Sequence, residues 1–366
     1  MNAKPKVLII YGSGLANGGV ESVIMNLIRS LHTFYTFDIL VYTEKKQYHD
    51  EEFLSYGGEI IRFPLYPAGS LIRKRLDYYF GAVPLFLFCA RLFKTTEYKI
   101  VHCNNVHDGS PALLAAKKAG INVRIAHGHS MPSKDHFIRT IFNNIYKKIT
   151  RISATHYIGC SDEVCRELFD LPQAYTINNP YNEKIFNYSP NKVDGIQLIQ
   201  IGRFCETKNQ LFSLKVLKCI LPMERNTTLS LVGANNSAYE KVIRKYIIDN
   251  DLAKNVRIYP TSANIPELLS KTNAFLMPSI SEGFGIAAIE AQSVGLCCYM
   301  SASIPQSTNC GACSYLSIED EKIWANRIHL DYKKGKLVHQ KHDCSKFNSS
   351  SFAEAISKIY EGKDFR

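Results

Sequence analysis

The sequence predicts an α/β protein made of two doubly wound, mostly parallel sheets, and three observations carry that expectation. Lys6 to Tyr11 (KVLIIY) is a near-continuous apolar run leading into a glycine-rich loop and a helical pattern, as in a parallel strand buried on both faces and followed by a helix. The same strand–helix alternation restarts after residue 190. Between the two series lies NNPYNEKIFNYSPNKVDG, rich in Asn, Pro and other turn formers, which reads as a linker. At 366 residues the chain exceeds one typical core, so two domains are the default. We place them at 1–188 and 189–345, with a C-terminal helical segment at 346–366 that packs on either domain or crosses back to the first.

In the first series the helix after the glycine loop is marked by Val23, Ile24, Leu27, Ile28 and Leu31, one face of a 3.6-residue period. Further strands are expected at Phe37–Tyr42, Glu59–Phe63, Ile100–Cys103, Val123–Ala126 and His156–Cys160. In the second series strands are expected at Gln197–Ile201, Thr228–Val232, Val256–Tyr259 and Ala274–Met277, alternating with helices at Asn209–Ile220, Tyr239–Asn250 and Ile265–Lys271. Repeated alternation of this kind gives a mostly parallel sheet.

The chemistry concentrates in Phe275 to Met300, FLMPSISEGFGIAAIEAQSVGLCCYM. It reads as a strand, a polar loop closed by Glu282, a turn through Gly283, Phe284 and Gly285, a helix carrying Glu290 about two turns in, and a second strand. Glycines at such a turn let backbone approach a ligand, and the first helical turn attracts anions. Glu290 is flanked by Ile286, Ala287, Ala288, Ile289, Ala291 and Val294; a carboxylate on so apolar a helix needs a partner. Phosphate held by backbone with hydroxyls held by carboxylates describes a nucleotide sugar. In IGRFCETKNQ, Arg203 and Lys208 stand at a strand end and the next helix start, a fork and a point charge suited to a diphosphate. His127 and His129 follow the Val123–Ala126 strand, where either ring is able to meet a substrate hydroxyl or developing charge.

Other features narrow the class. GSGLANGGVE lacks the third glycine of the dinucleotide fingerprint, Asn17 standing there, but Gly18 and Gly19 precede Glu21 at a helix start. There is no G-x-x-x-x-G-K-[ST] and no D-x-D in a suitable loop. The i, i+2 histidines and the single Cys310-x-x-Cys313 pair have no companion ligands, so no metal is expected. The formal charge of +11 is spread evenly: residues 1–190 carry 22 Lys+Arg against 16 Asp+Glu, the rest 22 against 17. That suits an anionic partner without a nucleic-acid arm. Leu71–Lys94 and His136–Arg151 mix basic and aromatic residues, as in a segment resting on an anionic membrane surface; the alternative for the first is two core helices broken at Pro84. Eleven scattered cysteines, no signal-peptide pattern and no run of 18 apolar residues point to a cytoplasmic protein without a membrane span.

Taken together, the residues resemble the retaining GT-B glycosyltransferases of family 4. The matching motifs are G-G-x-E (Gly18, Gly19, Glu21), H-x-H (His127, His129), C-S-D-E (Cys160 to Glu163), NPYNEKIF, G-R-x4-K (Gly202, Arg203, Lys208) and E-x7-E (Glu282, Glu290). Pro180 and Asn182 stand where the family usually has Gly and Asp, and GLCCYMSASIPQS is similar to the capsular and exopolysaccharide branch. The resemblance implies two Rossmann-like domains facing a cleft, acceptor in the first and donor in the second. It implies retaining transfer from a nucleoside-diphosphate sugar, a UDP-sugar for preference, to a glycan or polyprenyl-diphosphate-linked saccharide, without cofactor or metal. Arg203 and Lys208 would bind the diphosphate and Glu290 the ribose. Glu282 with Gly283, Phe284 and Gly285 would hold the sugar and phosphate, and Gly18–Gly19 would close over the diphosphate. His129, with His127 as the alternative, would line the acceptor side. The rival readings are a GT-B nucleotide-sugar epimerase, which needs no acceptor, a phosphorylase, which needs free phosphate, and a basic nucleic-acid or membrane-binding module.

Overall fold

A computed structural model describes residues 4–63, 81–131 and 137–363 of the chain. The chain divides into two compact units, Met1–Pro180 with Ser349–Arg366, and Tyr181–Asn348. The division thus falls between Pro180 and Tyr181 rather than at residue 188, and the last segment begins at Ser349 and joins the first unit.

The first unit is a seven-stranded sheet of order β3-β2-β1-β4-β5-β6-β7. Its strands are β1 Lys6–Ile10, β2 Thr36–Val41, β3 Ile60–Arg62, β4 Ile100–Cys103, β5 Val123–Gly128, β6 His156–Gly159 and β7 Tyr175–Thr176. Every pairing is parallel, with Ile9 opposite Ile39 on one side and His102 on the other. The helices are α1 Gly19–Leu31, α2 Asp50–Ser55, α3 Ala82–Thr95, α4 Ser110–Lys118, α5 Phe137–Ser153 and α6 Asp162–Leu168. Val7 to Ile10 and all of β4 are buried, which is why β1 reads as an unbroken apolar run, while β4 carries the buried His102 among apolar neighbours. Of the basic, aromatic segment, residues 71–80 and His136 lie outside the described residues. The rest of its first half is not broken at Pro84: α3 runs on from Ala82, with Pro84 in the first turn, where its missing N–H leaves no bond unmade.

The second unit is a six-stranded parallel sheet of order β10-β9-β8-β11-β12-β13. Its strands are β8 Gln197–Ile201, β9 Thr228–Ala234, β10 Val256–Pro260, β11 Ala274–Met277, β12 Cys297–Ser301 and β13 Cys313–Leu316. The helices α7 Gln210–Ile220, α8 Ala238–Asp249, α9 Ile265–Ser270, α10 Ile286–Val294 and α11 Glu321–Lys333 connect and cover it. Trp324, fully buried, stacks edge-on against Phe212 at 5.3 Å and donates its indole N–H to the Ser317 carbonyl at 2.7 Å.

In both sheets the order reverses once, between β1 and β4 and between β8 and β11. At such a switch point the connections leave to opposite faces, and the loops beyond the carboxyl ends of the two strands form a crevice. Both loop pairs are tied across: the Gly12 amide donates to Asn105 Oδ1 at 2.8 Å, and the Ile280 amide to the Thr207 carbonyl at 2.8 Å.

The last helix, α12 Ser349–Tyr360, packs on α1 of the first unit and buries Phe352, Ile356, Ile359 and Tyr360. Tyr360 meets Tyr35 edge-on at 5.2 Å. Core deletions of this kind cost about 2–5 kcal/mol, so Ile356→Ala and Ile359→Ala should each lower the melting temperature of the first unit. Thermal denaturation followed by hydrogen exchange resolves the two units; protection lost only within 181–348 would contradict the assignment of α12.

Candidate functional site

The second unit gathers most of the expected residues at its switch point. A Cβ on Gly233, at φ +118, would lie 2.4 Å from the Gly202 carbonyl oxygen, so only glycine lets the end of β9 come this close to the end of β8. Arg203 opens the loop beyond; it is exposed, and its guanidinium has no ion pair or hydrogen bond among the described residues. Lys208 closes a short 3-10 turn, Glu206–Lys208, and folds back over Gly202, its Cδ 3.4 Å from where a Cβ there would sit. Two buried glutamines hold this backbone from beneath. Gln200 donates to the Lys208 carbonyl at 2.6 Å, and Gln210 to the Gly202 and Arg203 carbonyls at 3.1 and 3.0 Å. Asn209, left-handed at φ 55, donates to the Pro278 carbonyl at 3.3 Å, joining this loop to the one after β11.

That second loop presents Glu282. Its Oε1 accepts from the Lys208 ammonium and from Ser279 Oγ at 2.9 Å, while Oε2 has no partner among the described residues. Ser279 is itself fixed: its carbonyl accepts from Ser301 Oγ at 2.6 Å and Ser303 Oγ at 2.9 Å. Gly283 and Phe284 are buried, Phe284 edge-on to Phe347 at 5.6 Å. Gly285, at φ +105, turns the chain into α10, whose first turn no side chain caps. There the Ala288 amide donates to the Gly285 carbonyl at 3.0 Å, and the helix start carries the positive end of the dipole.

Glu290 is the fifth residue of α10, nearer one turn in than two. Its carboxyl has no hydrogen-bond partner among the described residues, and burial pushes it up to about 7. The residue keeps some accessible surface, so its carboxyl is shielded without being sealed. A carboxylate left unpaired on a helix this apolar is a group waiting for donors.

His127, His129, Gly18 and Gly19 belong to the first unit. Gly18 is the N-cap of α1, and a Cβ there would strike the Glu21 carboxylate at 2.5 Å. His127 is fully buried and His129 is 9% exposed. Their rings are 4.0 Å apart. His129 Nε2 lies 2.8 Å from Asn104 Oδ1 and its Nδ1 3.0 Å from Asn179 Oδ1. His127 Nδ1 meets His102 Nε2 at 3.1 Å, and His102 Nδ1 meets the Tyr360 hydroxyl at 2.8 Å. Burial holds all three rings neutral, His102 down to about 3 and His129 to about 4, with His127 also well below its ordinary value. His129 alone keeps a foot in solvent, which favours it over His127 as the ring that meets a ligand.

The structure adds Asn104, Asn179, Ser279, Ser301, Ser303, His102 and Tyr360, none singled out from the sequence. A sequence signal existed only for the asparagines, which stand in CNN just after β4 and in the linker. Among the described residues no three His, Cys, Asp or Glu side chains form a group able to hold a metal, and no helix is long and apolar enough to cross a membrane. All eleven cysteines are free thiols, Cys313 lying opposite Cys298 in register.

Glu290 binds its proton more tightly in the folded chain than in the unfolded one, where it titrates near 4.5. The folded state therefore holds the extra proton between pH 4.5 and 7, and stability falls as pH rises through that window. Glu290→Gln should raise the melting temperature of the ligand-free protein at pH 8, by the equivalent of at most about 3 kcal/mol, and leave it unchanged near pH 4.5. Equal melting curves at both pH values would contradict the shifted carboxyl.

Comparison with known proteins identifies the family and the fold. Residues 17–183 match the model of Glycosyltransferase Family 4 and residues 182–307 that of Glycosyl transferases group 1. The capsular polysaccharide biosynthesis glycosyltransferase CapH of Staphylococcus aureus is 27% identical over 379 aligned positions, spanning 98% of this chain and 99% of its own. The UDP-Gal:alpha-D-GlcNAc-diphosphoundecaprenol alpha-1,3-galactosyltransferase of Escherichia coli is 27% identical over 234, spanning 58% of this chain and 59% of its own. Among solved structures, Anabaena Alr3699/HepE in complex with UDP and glucose superposes with a TM-score of 0.71 at 17% identity, over 99% of this chain and 96% of that one, a likeness of fold. Two parallel α/β units, carrying those two matches in that order, place the chain among the family 4 glycosyltransferases, enzymes of the GT-B fold.

Proposed function

We propose that this glycosyltransferase moves a sugar, with retention of anomeric configuration, from a UDP-sugar to a hydroxyl of a lipid-linked saccharide in surface-polysaccharide synthesis. The observation that carries the donor site is the grouping at the β8–β11 switch point. There the Lys208 ammonium sits on one oxygen of Glu282, the uncapped start of α10 follows three residues later, and Arg203 on the facing loop has a guanidinium with no partner among the described residues. Arg203, Lys208 and the α10 amides, with Gly283, Phe284 and Gly285, hold the diphosphate. Glu282 Oε2 accepts from a sugar hydroxyl, and Glu290 accepts from the ribose. Gly18 and Gly19 act on the diphosphate, and His129 on the acceptor side. The choice of UDP and of a lipid-linked acceptor draws on the relatives, one named for UDP-Gal and a diphosphoundecaprenol-linked sugar, and one structure holding UDP and glucose.

In this reaction the bond from the anomeric carbon to the phosphate oxygen breaks, and a bond from that carbon to the acceptor oxygen forms on the same face. The acceptor's proton passes to the departing diphosphate. The negative charge builds on the leaving group, where fixed cations and a helix start stabilise it without rearrangement, so no metal and no enzyme nucleophile takes part. A free carboxyl at 290 that titrates near neutrality gives the donor site its own pH signature: ribose hydroxyls favour the ionised form.

The protein works at the cytoplasmic face of the membrane, touching anionic lipid. Support comes from α3, which exposes Val83 and Leu87 beside Arg91 and Lys94, and from α5, which exposes Ile141, Ile145 and Ile152 beside Lys148. Apolar residues with flanking cations suit an anionic interface.

Lys208→Ala should lower turnover by roughly 100-fold or more, the range found when one preorganised charge partner is removed, with circular dichroism unchanged. Wild-type turnover in that variant would remove the diphosphate assignment. Across UDP-, GDP- and ADP-sugars, the UDP-sugar should raise the melting temperature most, and Glu290→Ala should weaken binding of UDP itself. A larger shift with a GDP-sugar would overturn the choice of base.

A further inference from the structure

His129 is held by amides at both ring nitrogens, and hydrogen-bond chemistry decides what that means. The Asn104 amide nitrogen lies 3.5 Å from the His102 carbonyl, a long contact that favours the Asn104 oxygen facing the ring. An oxygen can only accept, so His129 Nε2, 2.8 Å away, carries the proton. A neutral ring has one N–H, so Nδ1 is then an acceptor. Asn179, 3.0 Å from Nδ1, must offer its NH2 there, and an amide does so by turning over about its last bond. The titratable groups facing His129 are the rings of His127 and His102, on β5 and β4, with Tyr360 beyond His102.

We propose that Asn104 and Asn179 are positioning residues that hold His129 as a neutral ring with its proton on Nε2. The reason for amides rather than carboxylates lies in the chemistry. Glycosyl transfer passes through positive charge at the anomeric carbon, and an imidazolium beside it would oppose that charge. A carboxylate at either asparagine would stabilise the imidazolium; an amide orients the ring without charging it. This rests on the reading that gives His129 a part beside the reacting sugar.

Nitrogen-15 NMR of the histidine-labelled full chain tests the tautomer without any assay. His129 should appear neutral and Nε2-protonated at pH 7 and remain neutral down to about pH 5. A cationic or Nδ1-protonated ring at pH 7 would overturn the proposal. Asn179→Asp and Asn104→Asp should each move the midpoint of His129 up by about two pH units. Each should also lower kcat at pH 5 by about tenfold, where the variant ring is mostly charged and the wild-type ring is not, with donor KM within about threefold. The loss should shrink as pH rises past the new midpoint. Asn179→Ala, which charges nothing, should lose less and keep the wild-type pH profile, a contrast that merely structural asparagines would not produce. If one aspartate variant fails to fold, the other and the wild-type tautomer still decide. A charged His129 with wild-type kcat and pH profile would overturn the proposal; wild-type kcat in His129→Ala would instead remove the reading of His129 beneath it.

Discussion

The second unit depends on one constraint, the divergence of its chain at the β8–β11 switch point. Because β8 hands over to one face of the sheet and β11 to the other, the two loops beyond their carboxyl ends face each other. Arg203, Lys208 and Glu282 hang from those loops, and Glu290 from the helix that the second loop leads into. The backbone bond from Ile280 to Thr207, the Asn209 amide on Pro278 and the ion pair of Lys208 with Glu282 all cross the same gap. The ion pair does two things at once. It leaves Lys208 only partly neutralised toward solvent, and it takes one oxygen of Glu282 while turning the other outward. Ser279 on the same oxygen makes that choice directional, and the serines at 301 and 303 hold Ser279 from β12 and the loop after it.

Burial sets the electrostatics of the two units in opposite directions. Glu290 sits on an apolar helix without a donor, so desolvation favours its neutral acid and raises it. The buried histidines likewise favour their neutral form, but for a base this means a lowered value. Their folded forms bind fewer protons than the unfolded chain, so the stability they allow is lost as pH falls from about 6.5 toward their folded values. The first unit is thus strained by acid and the Glu290 site by base. Tyr360 links the histidine row to the last helix: α12 both covers α1 and supplies the hydroxyl beside His102.

How much was legible in the sequence follows from how local each signal is. The strands β1 and β11 announce themselves because burial on both faces favours apolar runs, and the glycines at 202 and 285 stand where the backbone geometry leaves little choice. The placement of Arg203, Lys208 and Glu282 at one switch point was readable because each follows a strand at a short distance. What the sequence hid is pairing across the fold. Nothing near Ser279 announces that residues 301 and 303 will hold its carbonyl. Asn104 and Asn179 are 75 positions apart in the numbering yet flank one ring. The short strand β7 was missed because two residues carry no periodicity. Glu290 was placed a turn too deep because the helix starts only after Gly285, whose left-handed backbone ends the loop.

The central claim is that fixed positive charge and the start of α10 receive a diphosphate at this switch point. A crystal structure of the protein with UDP tests it most directly. The account predicts the diphosphate within hydrogen-bonding reach of Arg203, Lys208 and the amides that open α10, with the ribose hydroxyls on Glu290. A well-ordered UDP bound elsewhere, with Arg203 and Lys208 still facing only solvent and Glu282, would contradict it.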